Sequence, residues 1–156
     1  MQLTAEIKQS VEKSILCWLA TSSPQGEPNV STKEIFCHQG DQQILVANIA
    51  SPRTVKNIKS NSKVCISFID ILVQKGFQLK GEAEVITQED ARFEELASPL
   101  HKLAGEAFPF SSLTKIEVEA ARPIIAPRYL LYPDTTEEEQ IASARRAYGL
   151  PENNAE

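Results

Sequence analysis

The segment FQLKGEAEVI, residues 77 to 86, alternates without a break: Phe77, Leu79, Gly81, Ala83 and Val85 point one way, Gln78, Lys80, Glu82 and Glu84 the other. A period of two residues is that of a β-strand. A strand with one dry and one wet face belongs to an antiparallel sheet, because the strands of a parallel sheet are covered on both faces. This stretch therefore commits the chain to antiparallel architecture, with Glu82 and Glu84 bridging lysines or facing solvent.

Other segments fit the same plan. Ile7, Val11 and Ile15 lie four apart and give one apolar stripe to an N-terminal helix from about Thr4 to Lys13. ILCWLAT (15 to 21) reads as a buried strand with Trp18 in the core, closed by the turn-rich SSPQGEP. NVSTKEIFC (29 to 37) and QQILVAN (42 to 48) form a hairpin on HQGD, and KVCISFID (63 to 70) and LTKIEVEAA (113 to 121) are further strands. Thr87 caps a helix of about residues 88 to 104. RPIIAPRYLLYP contains three prolines and reads as an extended, irregular crossing, not a central strand. Thr136 and Glu139 have capping-box spacing for a last helix that Gly149 and Pro151 stop after Tyr148, and ENNAE follows as a solvated tail.

Six strands, mostly joined by hairpins, make the chain mainly β with flanking helices: a small antiparallel barrel. At 156 residues it is expected to be one domain, with the barrel in 1–133 and a C-terminal helix and tail of the same domain in 134–156. There is no GxGxxG and no repeated βα crossover, which excludes a Rossmann arrangement.

Charge and composition remove several functions. Sixteen basic against 21 acidic side chains give a net charge of −5, which repels polyanions, so no nucleic-acid partner is expected. No apolar run approaches the ~20 residues of a membrane span, and a cytoplasmic protein is expected. Cys17, Cys37 and Cys65 are odd in number and far apart, so they read as reduced thiols. His38 and His101 have no neighbour at ligand spacing and read as surface residues, with no metal site. No nucleophile and base pair is recognisable.

The chemistry is concentrated in ILVANIASPRTVKNIKSN, residues 44 to 61, where a short apolar strand runs into a hydroxyl-rich, basic helix start. Ser51 reads as the N-cap, and Pro52 has its φ preset for the first turn. The open amides of that turn, the positive end of the helix dipole and Arg53 are suited to a phosphate, with Thr54 and Lys56 close by. A second signal is the run Ser31, Thr32, Lys33, Glu34, which fits neither a core face nor a clean alternation.

The order of N-terminal helix, ILCWLATSSPQGEPNVSTKEIF, ILVANIASPRTVKNIKSN, KVCISFID and KGFQLKGEAEVI closely resembles the pyridoxamine 5′-phosphate oxidase-like flavin-binding split-barrel family over about residues 5 to 121. The resemblance implies a six-stranded antiparallel split β-barrel, a homodimer, and FMN bound where the subunits meet. By position it implies Val30, Ser31, Thr32 and Lys33 along the ring and ribityl chain, and Ala47 and Asn48 beside the ring. Ser51, Arg53, Thr54 and the weaker Asn57 fall at the phosphate, and Gln78 and Lys80 at flavin or dimer contacts. It further implies an FMN-dependent oxidoreductase that uses NAD(P)H and a small-molecule substrate. The alternatives are a non-catalytic module holding flavin, haem or a deazaflavin, and a plain dimeric interaction domain. The C-terminal RRAYGLPENNAE lacks the basic and histidine-containing tail of true pyridoxamine-phosphate oxidases, which argues against pyridoxal-phosphate synthesis.

Overall fold

A computed structural model describes residues 1–151; the ENNAE tail lies outside the described residues. In chain order the elements are α1 (Ala5–Lys13), β1 (Cys17–Ser22), β2 (Pro28–Lys33), β3 (Phe36–Gln39), β4 (Gln43–Ala47), α2 (Pro52–Ser60) and β5 (Lys63–Asp70). They continue with β6 (Lys75–Thr87), α3 (Phe93–Ala104), β7 (Ser112–Ile125), α4 (Pro127–Leu131) and α5 (Glu137–Tyr148).

All seven strands form one antiparallel sheet in the order β2-β1-β5-β6-β7-β4-β3. The two edge strands, β2 and β3, are separated in sequence only by Glu34 and Ile35. Three Cα steps span at most ~11 Å, so the sheet must curl until its edges nearly meet. This is the expected split barrel, with seven strands in place of six. The segment expected as one strand over 29–37 leaves β1 and crosses to β4, and the break at Glu34–Ile35 divides it.

Two cores fill the fold. Inside the curl, Leu19, Ile44, Val46, Ile66, Phe68, Leu79 and Ile116 are closed at one end by Leu3, Ile7 and Val11 and on one side by Ile58 of α2. Behind β4, Leu45, Ala47, Ile86 and Leu113 pack on Phe93, Ala97 and Leu100 of α3. β4 is thus buried on both faces, and Ile86 ends the alternation of β6 because it belongs to the second core. The strict part of that alternation includes Gly81, where a Cβ would lie 2.0 Å from the Glu117 carbonyl oxygen. Glu119 is the extra residue of a bulge at this point, since Gly81 pairs with Val118 and Lys80 with Ala120.

Several sequence expectations are corrected. Ile15 lies beyond α1 and is 81% exposed, so the helical stripe is Ile7 and Val11, with Leu3 buried just ahead of the helix. Trp18 is half-buried on the outer face of β1, in the row Thr32–Trp18–Ser67–Gln78–Arg122, because Cys17 and Leu19 take the inward positions. α3 starts at Phe93 instead of 88, after a turn in which Asp90 accepts from the Arg92 amide at 2.9 Å. RPII continues β7, with Pro123 opposite Phe77. Proline is tolerated there because β4 accompanies β7 only between Leu113 and Glu117, leaving the far half with a free edge. PRYLL is a short helix. The Thr136–Glu139 capping box and the left-handed Gly149 cap form as expected. Glu82 pairs with Lys63 at 2.8 Å and Glu84 with Lys115 at 2.6 Å.

Candidate functional site

β2 alternates after all: Val30 and Thr32 face outward and exposed, while Asn29, Ser31 and Lys33 face α2. The inward set is polar because what covers it is the polar first turns of a helix. Lys33 is only 5% exposed, and its ammonium donates to the Ser51 hydroxyl at the start of α2. Drawn toward Lys33, that hydroxyl makes no cap bond, and Ala50 before it takes a positive φ of 49°. With Pro52 at N1, the amides of Arg53 and Thr54 are left among the open donors of the helix start, at the positive end of its dipole.

Behind this corner a hydrogen-bond network fixes α2 to the sheet. Asn29 donates to Thr21 at 3.3 Å and to Thr54 at 3.2 Å, and Asn57 donates to Thr21 at 3.0 Å. Ser31 and Thr54 share a hydroxyl–hydroxyl bond of 2.9 Å, and Asn61 donates to Ser22 at 2.8 Å. Thr54 and Asn57 are buried and committed to this network. Their side chains position the helix start.

The electrostatics of the corner are one-sided. Among the described residues no carboxylate pairs with Lys33. The neighbouring Cys17 thiol is pushed up to about 12 by burial, so it is uncharged at neutral pH. Burial lowers the Lys33 ammonium below its ordinary range. A buried cation without an anion costs several kcal/mol, and here it sits beside a helix N-terminus, which adds positive potential. Both features call for an anion from outside the protomer.

Lys33 lines a cavity of about 200 Å³ with Thr32, Glu34, Ile35, Ala47, Ile49 and Phe108. On the other side of Ser51 a groove of about 540 Å³ runs past Asn48, Ala50, Val55 and Ser112. The Asn48 amide donates to Ser112 at 3.2 Å and its carbonyl accepts from Thr114 at 2.8 Å, which holds the end of β4 in place.

The structure therefore gathers Thr32, Lys33 and Ala47 at one cavity, with Ser51 bonded to Lys33 from the neighbouring groove that Asn48 also lines, and with Ser31, Thr54 and Asn57 in the supporting network. Arg53 turns away: its guanidinium is 69% exposed and 3.8 Å from Glu27, in a separate groove beside the β1–β2 turn. Val30, Gln78 and Lys80 lie on the outer face of the sheet, where Lys80 and Val30 share a row through Ala20 and Cys65. Sequence reasoning missed Thr21 and Asn29, ordinary strand residues until α2 is placed over them. It also missed Phe108, whose signal is an aromatic in the loop AFPF.

Among the described residues no His, Cys, Asp and Glu cluster suits a metal ion. His38 bonds Glu12 at 3.0 Å, and His101 stacks on Phe110 at 4.4 Å. No helix among the described residues is long and apolar enough to cross a membrane.

Comparison with known proteins adds to this geometry. The family model described as pyridoxamine 5′-phosphate oxidase matches residues 3–142. Of solved structures, HupZ of Group A Streptococcus is 26% identical, with a TM-score of 0.68 over 80% of this chain and 95% of that one. HutZ, the haem storage protein of Vibrio cholerae, is 21% identical, with a TM-score of 0.63 over 80% and 95%. An FMN-binding protein from Syntrophomonas wolfei is 18% identical, with a TM-score of 0.63 over 76% and 86%. The last two share the fold. None of the curated proteins matches the chain.

Proposed function

This chain belongs to the pyridoxamine 5′-phosphate oxidase family, and on that premise we propose that it binds FMN as a homodimer and acts as a cytoplasmic flavin-dependent oxidoreductase. The observation that carries this reading is Lys33, a buried ammonium at a helix N-terminus with no carboxylate partner among the described residues.

The residues fit the cofactor. Lys33, the Ser51 hydroxyl and the Arg53 and Thr54 amides are donors suited to a phosphate dianion, and Ile35, Ala47, Ile49 and Phe108 offer apolar walls to a flat ring. A cavity of about 200 Å³ is below the ~300 Å³ at which small-molecule sites begin. A second protomer supplies the missing wall, and the outer-face residues Val30, Thr32, Gln78 and Lys80 are then its contacts or the ring's. When bound, FMN supplies two-electron hydride chemistry at its ring. The chain's part is to neutralise the phosphate, hold the ring edge with fixed dipoles and exclude water. Reduced nicotinamide is the proposed donor and a small organic molecule the acceptor. The three free thiols are in keeping with a reducing compartment.

Purified protein tests the reading. A yellow sample that releases FMN on denaturation supports it, and a haem Soret band or a deazaflavin spectrum replaces FMN with that ligand. Anaerobic bleaching by NADH or NADPH, reversed by an added acceptor, separates an enzyme from a carrier. A colourless protein that ignores added FMN leaves only the barrel.

A further inference from the structure

The groove on the outer side of Ser51 has walls that a flavin phosphate does not use. It follows α2 from Ser51 past Pro52 and Val55 to Lys56, Lys59 and Ser60, and encloses about 540 Å³. Small-molecule sites span ~300–1,000 Å³, so there is room for a ligand. At a rise of ~1.5 Å per residue, Lys56 and Lys59 lie about 8 and 12 Å beyond Ser51 along the helix axis. These separations reach or exceed the ~8 Å screening length of physiological salt. An anion held at Ser51 therefore leaves both ammonium groups uncommitted.

The groove is cationic without compensation. No carboxylate lines it. Residues 42–69 hold Arg53, Lys56, Lys59 and Lys63 and no Asp or Glu, in a chain whose net charge is −5. Two of these four cations are answered. Arg53 lies 3.8 Å from Glu27 on the opposite flank of α2, and Lys63 lies 2.8 and 3.1 Å from Glu82 and Glu119. Lys56 and Lys59 are exposed and have no ion-pair partner among the described residues. Three residues apart, they stand on one face of the helix and repel each other. The helix dipole favours Lys59, in the last turn, and leaves Lys56 unexplained. Two ammonium groups on one face suit a doubly charged phosphomonoester. Between them and Ser51, Pro52 and Val55 form an apolar strip of the kind that a flat base covers.

We propose that Lys56 and Lys59 bind the 2′-phosphate of NADPH, with its adenine against Pro52 and Val55, and that they select NADPH over NADH. The inference rests on reading reduced nicotinamide as the electron donor. The two dinucleotides differ only at this group. Where NADH has a ribose hydroxyl, dinucleotide sites supply a carboxylate to accept from it; where NADPH has a phosphate, they supply a cation. This groove has two cations and no carboxylate.

The oxidised dinucleotides test the site by calorimetric titration without turnover, on protein with and without added FMN at low salt. NADP⁺ is expected to bind at least tenfold more tightly than NAD⁺, with a preference that narrows as salt rises. Lys56→Gln/Lys59→Gln should abolish the preference, leave NAD⁺ binding unchanged and keep FMN affinity within about twofold. Lys13→Gln/Lys102→Gln removes the same charge elsewhere and should retain the preference. Equal affinity of the wild-type chain for the two dinucleotides, a preference that survives Lys56→Gln/Lys59→Gln, or an equal loss in Lys13→Gln/Lys102→Gln overturns the proposal. FMN titration separates the two readings. A chain that takes up no FMN yet prefers NADP⁺ through these lysines keeps this site and loses the flavin corner, and one that binds FMN but treats the dinucleotides alike does the reverse.

Discussion

Replacing Lys33 by methionine is expected to move flavin affinity and stability in opposite directions. Methionine nearly matches the length of lysine and removes the charge. In the proposed complex it takes away one charge-assisted bond to phosphate at a residue that is only 5% exposed. Such bonds contribute about 1.5–3 kcal/mol, and a dry corner beside a helix N-terminus favours the upper half of that range. At 1.4 kcal/mol per decade, FMN affinity should fall roughly 30- to 150-fold. Riboflavin, which has no phosphate, should bind wild type and variant alike. In the free protein the sign reverses. The variant loses one hydrogen bond to Ser51, worth ~1 kcal/mol, but it no longer buries an unpaired ammonium at a cost of several kcal/mol. A net gain of about 1–2 kcal/mol raises the melting temperature of a chain this size by ~2–8 °C. Calorimetric titration with both flavins and thermal unfolding of the ligand-free protein check the two halves. Unchanged FMN affinity, or a lower melting temperature without ligand, refutes the argument that Lys33 waits for an anion.

The pH dependence follows from the same residue. Its folded ammonium titrates below the ordinary lysine range, so between that lowered value and 10.5 the unfolded chain holds more protons. The ligand-free protein should therefore gain stability as pH rises through this window, while FMN affinity falls as Lys33 loses its proton; Lys33→Met should show neither trend in urea melts or titrations. Asn57→Ala removes the 3.0 Å bond to the buried Thr21 hydroxyl, which keeps only the 3.3 Å bond from Asn29, and should cost about 0.5–1.5 kcal/mol in chemical denaturation; a loss below about 0.3 would show this bond to be dispensable. Arg53→Ala should weaken FMN less than about fivefold by titration, because its guanidinium faces Glu27 across exposed surface; a loss like that of Lys33→Met would return it to the phosphate. Gly81→Ala places a methyl group 2.0 Å from a carbonyl oxygen and should cost more than about 3 kcal/mol or abolish soluble expression.

The barrel was legible where local pattern and burial agree. The alternation of 77 to 86, the thiols and the two capping residues of α5 were read from short windows, and local chemistry decides them. Pairing across the sheet was not readable. It places Trp18 outward, extends β7 through Pro123 along a free edge, and splits the second strand where it passes between sheet edges. The site shows the same division. Ser51, Pro52 and Lys33 stood out because each breaks or completes a local rule. Arg53 was placed by type and spacing, yet a surface arginine goes where its long side chain finds an anion, and Glu27 across the groove was nearer. The polar run of β2 became intelligible only with α2 laid over it.

The account depends on an anion reaching Lys33, and a crystal structure of the protein grown with excess FMN tests this most directly. The phosphate should lie within hydrogen-bonding distance of Lys33 Nζ, Ser51 Oγ and the Arg53 and Thr54 amides. Flavin bound with its phosphate elsewhere, or a corner holding only water around an unshifted Lys33, would contradict it.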